Sequence, residues 1–268
     1  MIIDTHVHFG KCLDFNLSQK TVLDAMEKYG IDRAIVSNIQ AAECDKNQNE
    51  LPESQQFDML TTAKNTIDFA KANPGRIYAA IWVKPRLEQP TAELEYLLKI
   101  HPEIVKAIKV HPFHSAMPFD GPETEAFIQL AETLDLPVIT HSAGDDCSSP
   151  QRVAAMAKKY PHVKFVLAHL GLGTDNEEAI ELCSHIPNLY GDTAWVPVEN
   201  AIKFIKRAGS EKLMFGSDMP IDGLDTYAKN RYGQPSMYVP YFNELESKIP
   251  QTSFENVMWK NAMEFYKL

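Results

Sequence analysis

Two histidines one residue apart open this chain, in DTHVHFG at residues 4–10. Side chains alternate along an extended strand, so Asp4, His6 and His8 are expected on one face and Ile3, Thr5 and Val7 on the other. A buried imidazole that loses water without gaining a partner is costly, so a buried His-x-His face implies that something binds there. His141 in PVITHSA and Asp218 in FGSDMP would complete a set of three nitrogens and one carboxylate. Such a set suits one divalent ion, zinc first, with manganese or iron as alternatives. His169, in VLAHLG, falls one repeat beyond His141.

The chemistry that follows is activation of water. A bound divalent ion lowers the pKa of its water to about 7. Asp218 is placed to ligate and to accept the water's proton, and His169 to orient the water or stabilise an oxyanion. The same groups suit decarboxylation, in which a proton is handed to carbon. Neither reaction needs a serine or cysteine nucleophile, and Cys12 and Cys147 read as ordinary thiols.

The elements that must position these residues are legible as eight β-rich runs: 2–9, 33–39, 77–83, 106–112, 137–143, 163–170, 189–195 and 212–218. Helical patterns lie between them, several stopped by Gly or Pro. Strict alternation over this length predicts an α/β fold, a single (β/α)8 TIM barrel occupying residues 1–268 as one domain, with its active site at the C-terminal ends of the strands. An open doubly wound sheet is the rival, but its Gly-rich phosphate turn is missing after the first strand. On the barrel reading, His6, His8, His111, His141, His169 and Asp218 all end strands, and His114 follows directly. Singly, each is explained as well by ordinary packing. Together they occupy matching ends of separate strands, where Val, Ile and Leu normally sit. His101, His162 and His185 fall near helix C-termini, where imidazole meets the negative dipole end, and are read as structural. The closing helix, SFENVMWKNAMEFYKL, is expected to close the barrel.

The 268 residues are 44% hydrophobic and 23% charged, with a formal net charge of −10. That balance excludes a broad nucleic-acid-binding surface. No apolar run is long enough to span a bilayer, and no signal peptide is visible at the N-terminus. Four scattered cysteines form no C-x-x-C pair, which fits a reducing cytoplasm. A small-molecule substrate is the expected partner, and a homo-oligomer is compatible with the composition. Lys84 and Arg86, in WVKPR, and Lys11 put positive charge near strand ends and suggest a carboxylate-bearing substrate. Lys109, His111 and Trp82 are further candidates for substrate contact, and Trp195 for stacking on a flat ring. Long loops at 40–56 and 219–238 read equally as lids or as tolerated surface insertions.

In DTHVHFG, PVITHSA, YPHVKFVLAHLG, LMFGSDMP and NAMEFYKL the sequence resembles the amidohydrolase superfamily along nearly its whole length. The likeness is to the amidohydrolase-2 branch, which includes aminocarboxymuconate-semialdehyde decarboxylase and 2-pyrone-4,6-dicarboxylate lactonase. The resemblance implies that His6, His8, His141 and Asp218 ligate the metal and that His169 works beside the metal-bound water. Binuclear relatives carry a bridging Glu or a carboxylated Lys from the middle strands. Here that strand reads KAIKVHP, without an acid, which favours one metal; a carboxylated Lys109 is the alternative. The expected function is a metal-dependent hydrolase of a small amide, ester or lactone, through a metal-activated water. Decarboxylation comes second, because its relatives grip the departing carboxylate with an arginine, whereas the strand ends here carry mainly lysines; Arg86 or Arg231 would have to fold in. A non-catalytic metal- or ligand-binding barrel comes third.

Overall fold

A computed structural model describes residues 1–222 and 236–268. Its strands are β1 (Ile3–Cys12), β2 (Phe15–Leu17), β3 (Arg33–Asn38), β4 (Ile77–Trp82), β5 (Val105–Val110), β6 (Val138–Ala143), β7 (Phe165–Leu172), β8 (Leu189–Asp192) and β9 (Leu213–Met214). They form one sheet in the order β2-β1-β3-β4-β5-β6-β7-β8-β9. β2 folds back antiparallel on the end of β1 as a hairpin that the periodicity does not announce. Every other neighbouring pair is parallel, as crossover helices require.

The chain beyond β9 runs alongside β1. Thr5 N donates to Phe215 O, Asp218 N to His6 O and His8 N to Met219 O, each at 2.9 Å, and Val7 bridges Met219 in parallel. These bonds join the last strand to the first, so the eight parallel strands close into the expected barrel. Because of this seam, Asp218 lies beside His6 although the two are far apart in sequence.

Apolar side chains fall into two groups. Ile3, Ile35, Tyr78, Ala107, Ile139, Val166 and Met214 fill the barrel interior. Val7, Val36, Ile81, Val110, Val138 and Leu167 face outward against the helices. Each buried Val, Leu or Ile contributes about 1.5–3 kcal/mol. The helices are stitched in by local signals. Helix Pro150–Lys159 starts at Ser149, whose side chain accepts from Gln151 N, and buries Val153, Ala154, Met156 and Ala157 on its inner face. The C-terminal helical run, Gln251–Glu255, Asn256–Lys260 with a π turn, and Asn261–Phe265, places Ala262, Phe265 and Tyr266 under the barrel interior. It closes the barrel at the end opposite the histidines. His185 ends helix Glu177–His185, with its Nδ1 on Glu181 O at 3.0 Å.

The loop at 40–56 is pinned by a Cys44–Glu50 bridge and by the Glu43 side chain, which accepts from Leu87 N at 2.8 Å. Most of the loop at 219–238, with Arg231, lies outside the described residues. No helix among the described residues is long and apolar enough to cross a membrane.

Candidate metal centre

β1 does not alternate strictly. Between Asp4 and Val7 it carries one more residue than its neighbour does between Ala34 and Val36. Ile3 and Val7, four apart, would share a face in a regular strand. Instead Ile3 packs inside the barrel and Val7 outside, the reversal that a bulge produces. The expected Asp4, His6, His8 row is therefore broken. The Asp4 carboxylate accepts from Ser217 N at 3.0 Å, from the Ser217 hydroxyl and from His6 N at 3.1 Å, so it belongs to the barrel seam. Burial pushes its carboxyl up to about 7.

His6 and His8 turn their Nε2 atoms towards one another, 3.1 Å apart. Asp218 Oδ1 lies 3.4 Å from His6 Nε2 and 3.0 Å from His8 Nε2. All three residues are buried. Ligand atoms held about 2.0–2.1 Å from one ion at octahedral or tetrahedral angles lie about 2.8–3.4 Å from each other. The observed spacings match that geometry, and these three residues form a group able to hold a metal ion. The far nitrogens are engaged elsewhere: His6 Nδ1 donates to Asp192 Oδ2 at 2.8 Å, and His8 Nδ1 pairs with Ser37 Oγ at 2.9 Å. Such outer contacts orient a ligating imidazole.

His141 is not within this group of three. Its ring stacks on His111, centroids 4.1 Å apart, and meets the His169 ring edge-on at 4.9 Å. His111 is parallel to Trp82 on its other face, at 5.0 Å. The resulting stack of Trp82, His111 and His141 leaves His111 no free face for a substrate ring. His169 approaches His6 to 4.9 Å between centroids. Its φ is 69°, followed by Leu170 at 49°. Ala168 already points inward, and this left-handed turn lets the next side chain point inward too. The conformation costs about 1–2 kcal/mol per residue. His169 Nδ1 donates to Ala194 O at 3.1 Å, which leaves Nε2 as the free nitrogen.

Lys109 lies directly beneath the group, with Nζ 3.1 Å from His6 Nε2. Burial lowers its ammonium to about 8. Burial also depresses the imidazoles of His6, His111, His141 and His169, keeping their neutral forms available as ligands or acceptors. At Asp218 burial works the other way, but the close imidazoles of His6, His8 and His169 outweigh it and hold the carboxyl below its usual range.

A cavity of about 590 Å³ opens above the group. Trp82, His111, His114, His141, His169, Trp195 and Asp218 line it, with Leu13, Phe15, Ile39, Phe113 and Ile221 around them. Lys84 does not reach it: its ammonium donates to Phe57 O and lies 3.6 Å from Glu88. Arg86 faces Glu50 at 3.5 Å. Lys84 and Arg86, which suggested a carboxylate grip, are thus spent on the scaffold, and Lys11 is exposed. Strand alternation does not by itself mark Asp192 or Ser37. Asp192 does carry a sequence signal, as an acid ending a buried strand in LYGD just as Asp218 ends FGSD.

A protein-family model described as Amidohydrolase matches residues 3–268. No curated protein sequence matches the chain. Among solved structures, 5-carboxyvanillate decarboxylase from Sphingomonas paucimobilis superposes with a TM-score of 0.71 at 14% identity, covering 100% of this chain and 99% of that one. A dihydroxybenzoic acid decarboxylase from Polaromonas sp., with bound manganese and the inhibitor 2-nitroresorcinol, gives 0.65 at 17%, covering 100% and 97%. A probable 2-pyrone-4,6-dicarboxylic acid hydrolase from Acinetobacter baumannii, with citric acid bound, gives 0.66 at 14%, covering 100% and 99%.

Proposed function

The chain belongs to the amidohydrolase family, and from that premise we propose that it is a metal-dependent decarboxylase of a small, planar carboxylic acid. The observation that carries this reading is the state of Asp218. Its Oδ1 faces His6 and His8, and its Oδ2 accepts the Trp195 indole N–H at 2.6 Å. A hydrolase of this branch needs that carboxylate to take a proton from water. Here both oxygens are engaged, Oδ1 by the two imidazoles and Oδ2 by the indole, so neither is turned towards the cavity to take a proton from water. Decarboxylation asks less of it.

His6, His8 and Asp218 would hold one divalent ion, with His141 completing the set from the cavity wall; manganese and zinc both suit three nitrogens and a carboxylate. The ion would supply positive charge that draws a substrate oxygen into the site. Lys109 adds a second positive charge close below. The apolar rings lining the cavity exclude water around the substrate carboxylate and favour a flat, unsaturated ligand. The bond between ring carbon and carboxylate breaks, its electron pair stays on the carbon, and a proton joins that carbon. His169 Nε2, the free nitrogen of a positioned imidazole, is the group that takes up this proton from solvent and delivers it. The decarboxylases among the similar structures support the reading, and the manganese in one of them supports the ion.

Hydrolysis of a lactone is the second reading, favoured by the likeness to the pyrone-dicarboxylate hydrolase. Turnover by the manganese- or zinc-loaded protein of hydroxybenzoates, other unsaturated acids and lactones, in ¹⁸O-labelled water with carbon dioxide monitored, separates the two. Stoichiometric carbon dioxide with no label in the organic product is expected. A labelled acid formed without carbon dioxide would assign the protein to the hydrolases. The four cysteines are free, which supports action in a reducing compartment such as the cytoplasm.

A further inference from the structure

We propose that Asp192 is a positioning residue that selects, through its two oxygens, the ring tautomers of both His6 and His169. Oδ2 accepts the Nδ1–H of His6 at 2.8 Å. Oδ1 accepts from the backbone N–H of His169 at 2.9 Å and from that of Ala194 at 3.1 Å. The Ala194 carbonyl in turn accepts the Nδ1–H of His169 at 3.1 Å. The two backbone N–H groups can only donate, so the carboxylate serves there as an acceptor, and an ionised carboxylate is acceptor-only towards His6 as well. One side chain therefore presents the Nε2 lone pair of His6 to the metal group and the Nε2 of His169 to the cavity.

Three further observations agree. Lys109 Nζ donates to His6 Nε2 at 3.1 Å, which requires a lone pair there and hence the same Nδ1–H tautomer. The left-handed backbone of His169 is held by its N–H bond to Oδ1. Gly216 packs so closely that a Cβ there would lie 2.9 Å from His6 Cβ and 3.3 Å from Asp192 Cβ, so the pair is clamped from the closing strand.

The inference rests on the proposed metal site, but its test needs no turnover. In metal-free, ¹⁵N-histidine-labelled protein, two-bond ¹H–¹⁵N spectra distinguish the tautomers. Nδ1–H is expected for both His6 and His169; Nε2–H at His6 in the native protein would overturn the proposal whatever any variant does. Asp192→Asn can offer a carbonyl to one side only and must turn its amide donor to the other. The expected result is loss of the Nδ1–H signature at one or both rings and weaker Mn²⁺ and Zn²⁺ binding in chelator competition, by about 10–100-fold. A folded variant with both tautomers kept and affinities within about threefold would show that Asp192 is structural only. Failure to find a decarboxylated product leaves these readouts untouched and bears on the proposed reaction instead.

Discussion

Trp195 donates its indole N–H to Asp218 Oδ2 at 2.6 Å from a backbone held at a φ of 58°. A bulky residue in the left-handed region stores about 1–3 kcal/mol of strain, and such strain clusters at functional sites. The bond fixes which carboxylate oxygen faces His6 and His8. Trp195→Phe should therefore keep the metal but lower kcat by about 10-fold or more, as the loss of one positioned charge-assisted hydrogen bond predicts. Steady-state kinetics on preparations of equal metal content check this; an unchanged kcat would mean the bond is incidental.

Replacing His6 and His8 together by Ala should abolish stoichiometric divalent metal. Both sit on a strand whose backbone ladder is intact without them, so the circular dichroism of the barrel should survive. Elemental analysis after dialysis decides. Full occupancy in the double variant would show that the ion binds elsewhere.

His169→Ala should retain the metal and lose about 10² or more in kcat, the usual scale for a positioned acid–base group. Its free Nε2 and its place in the cavity wall carry this expectation. Metal loss on the same substitution would make His169 a ligand.

Glu43 lends stability a pH dependence that lies outside the site. Burial pushes its carboxyl up to about 7, against the lowering pull of Ser115, the Leu87 amide and Lys84. Between the ordinary glutamate value of about 4.3 and 7, the folded chain holds a proton that the unfolded chain has released. Stability therefore falls as pH rises across that window and levels off above it, by an amount on the order of 3 kcal/mol. Glu43→Gln keeps the oxygen that accepts from Leu87 N and removes the titration. Urea unfolding of metal-free protein at pH 5 and pH 8 should show a smaller loss for the variant. Equal losses would refute the assignment.

What the sequence determined by itself was the architecture and the cast of residues. Alternating strand and helix patterns impose parallel strands and crossovers, and a barrel collects strand ends on one face, so His6, His8, His141, His169 and Asp218 could be brought together from local periodicity alone. Where each side chain points and what holds it depended on the closed barrel. The extra residue in β1 sends Ile3 inward and draws Asp4 into the seam, and such a bulge is defined against the neighbouring strand, not within its own. The left-handed turn begins on His169 and Leu170, two residues that do not announce it, before it reaches Gly171. Lys84 and Arg86 ended the right strand but found Phe57, Glu88 and Glu50 before they found the cavity. Asp192 reaches His6 across 186 residues of sequence. Periodicity is a property of a few consecutive residues, whereas a hydrogen-bond partner is chosen by the closing of the whole barrel. The candidate ligand types were therefore legible in advance, and the carboxylate and indole bonded to them were not.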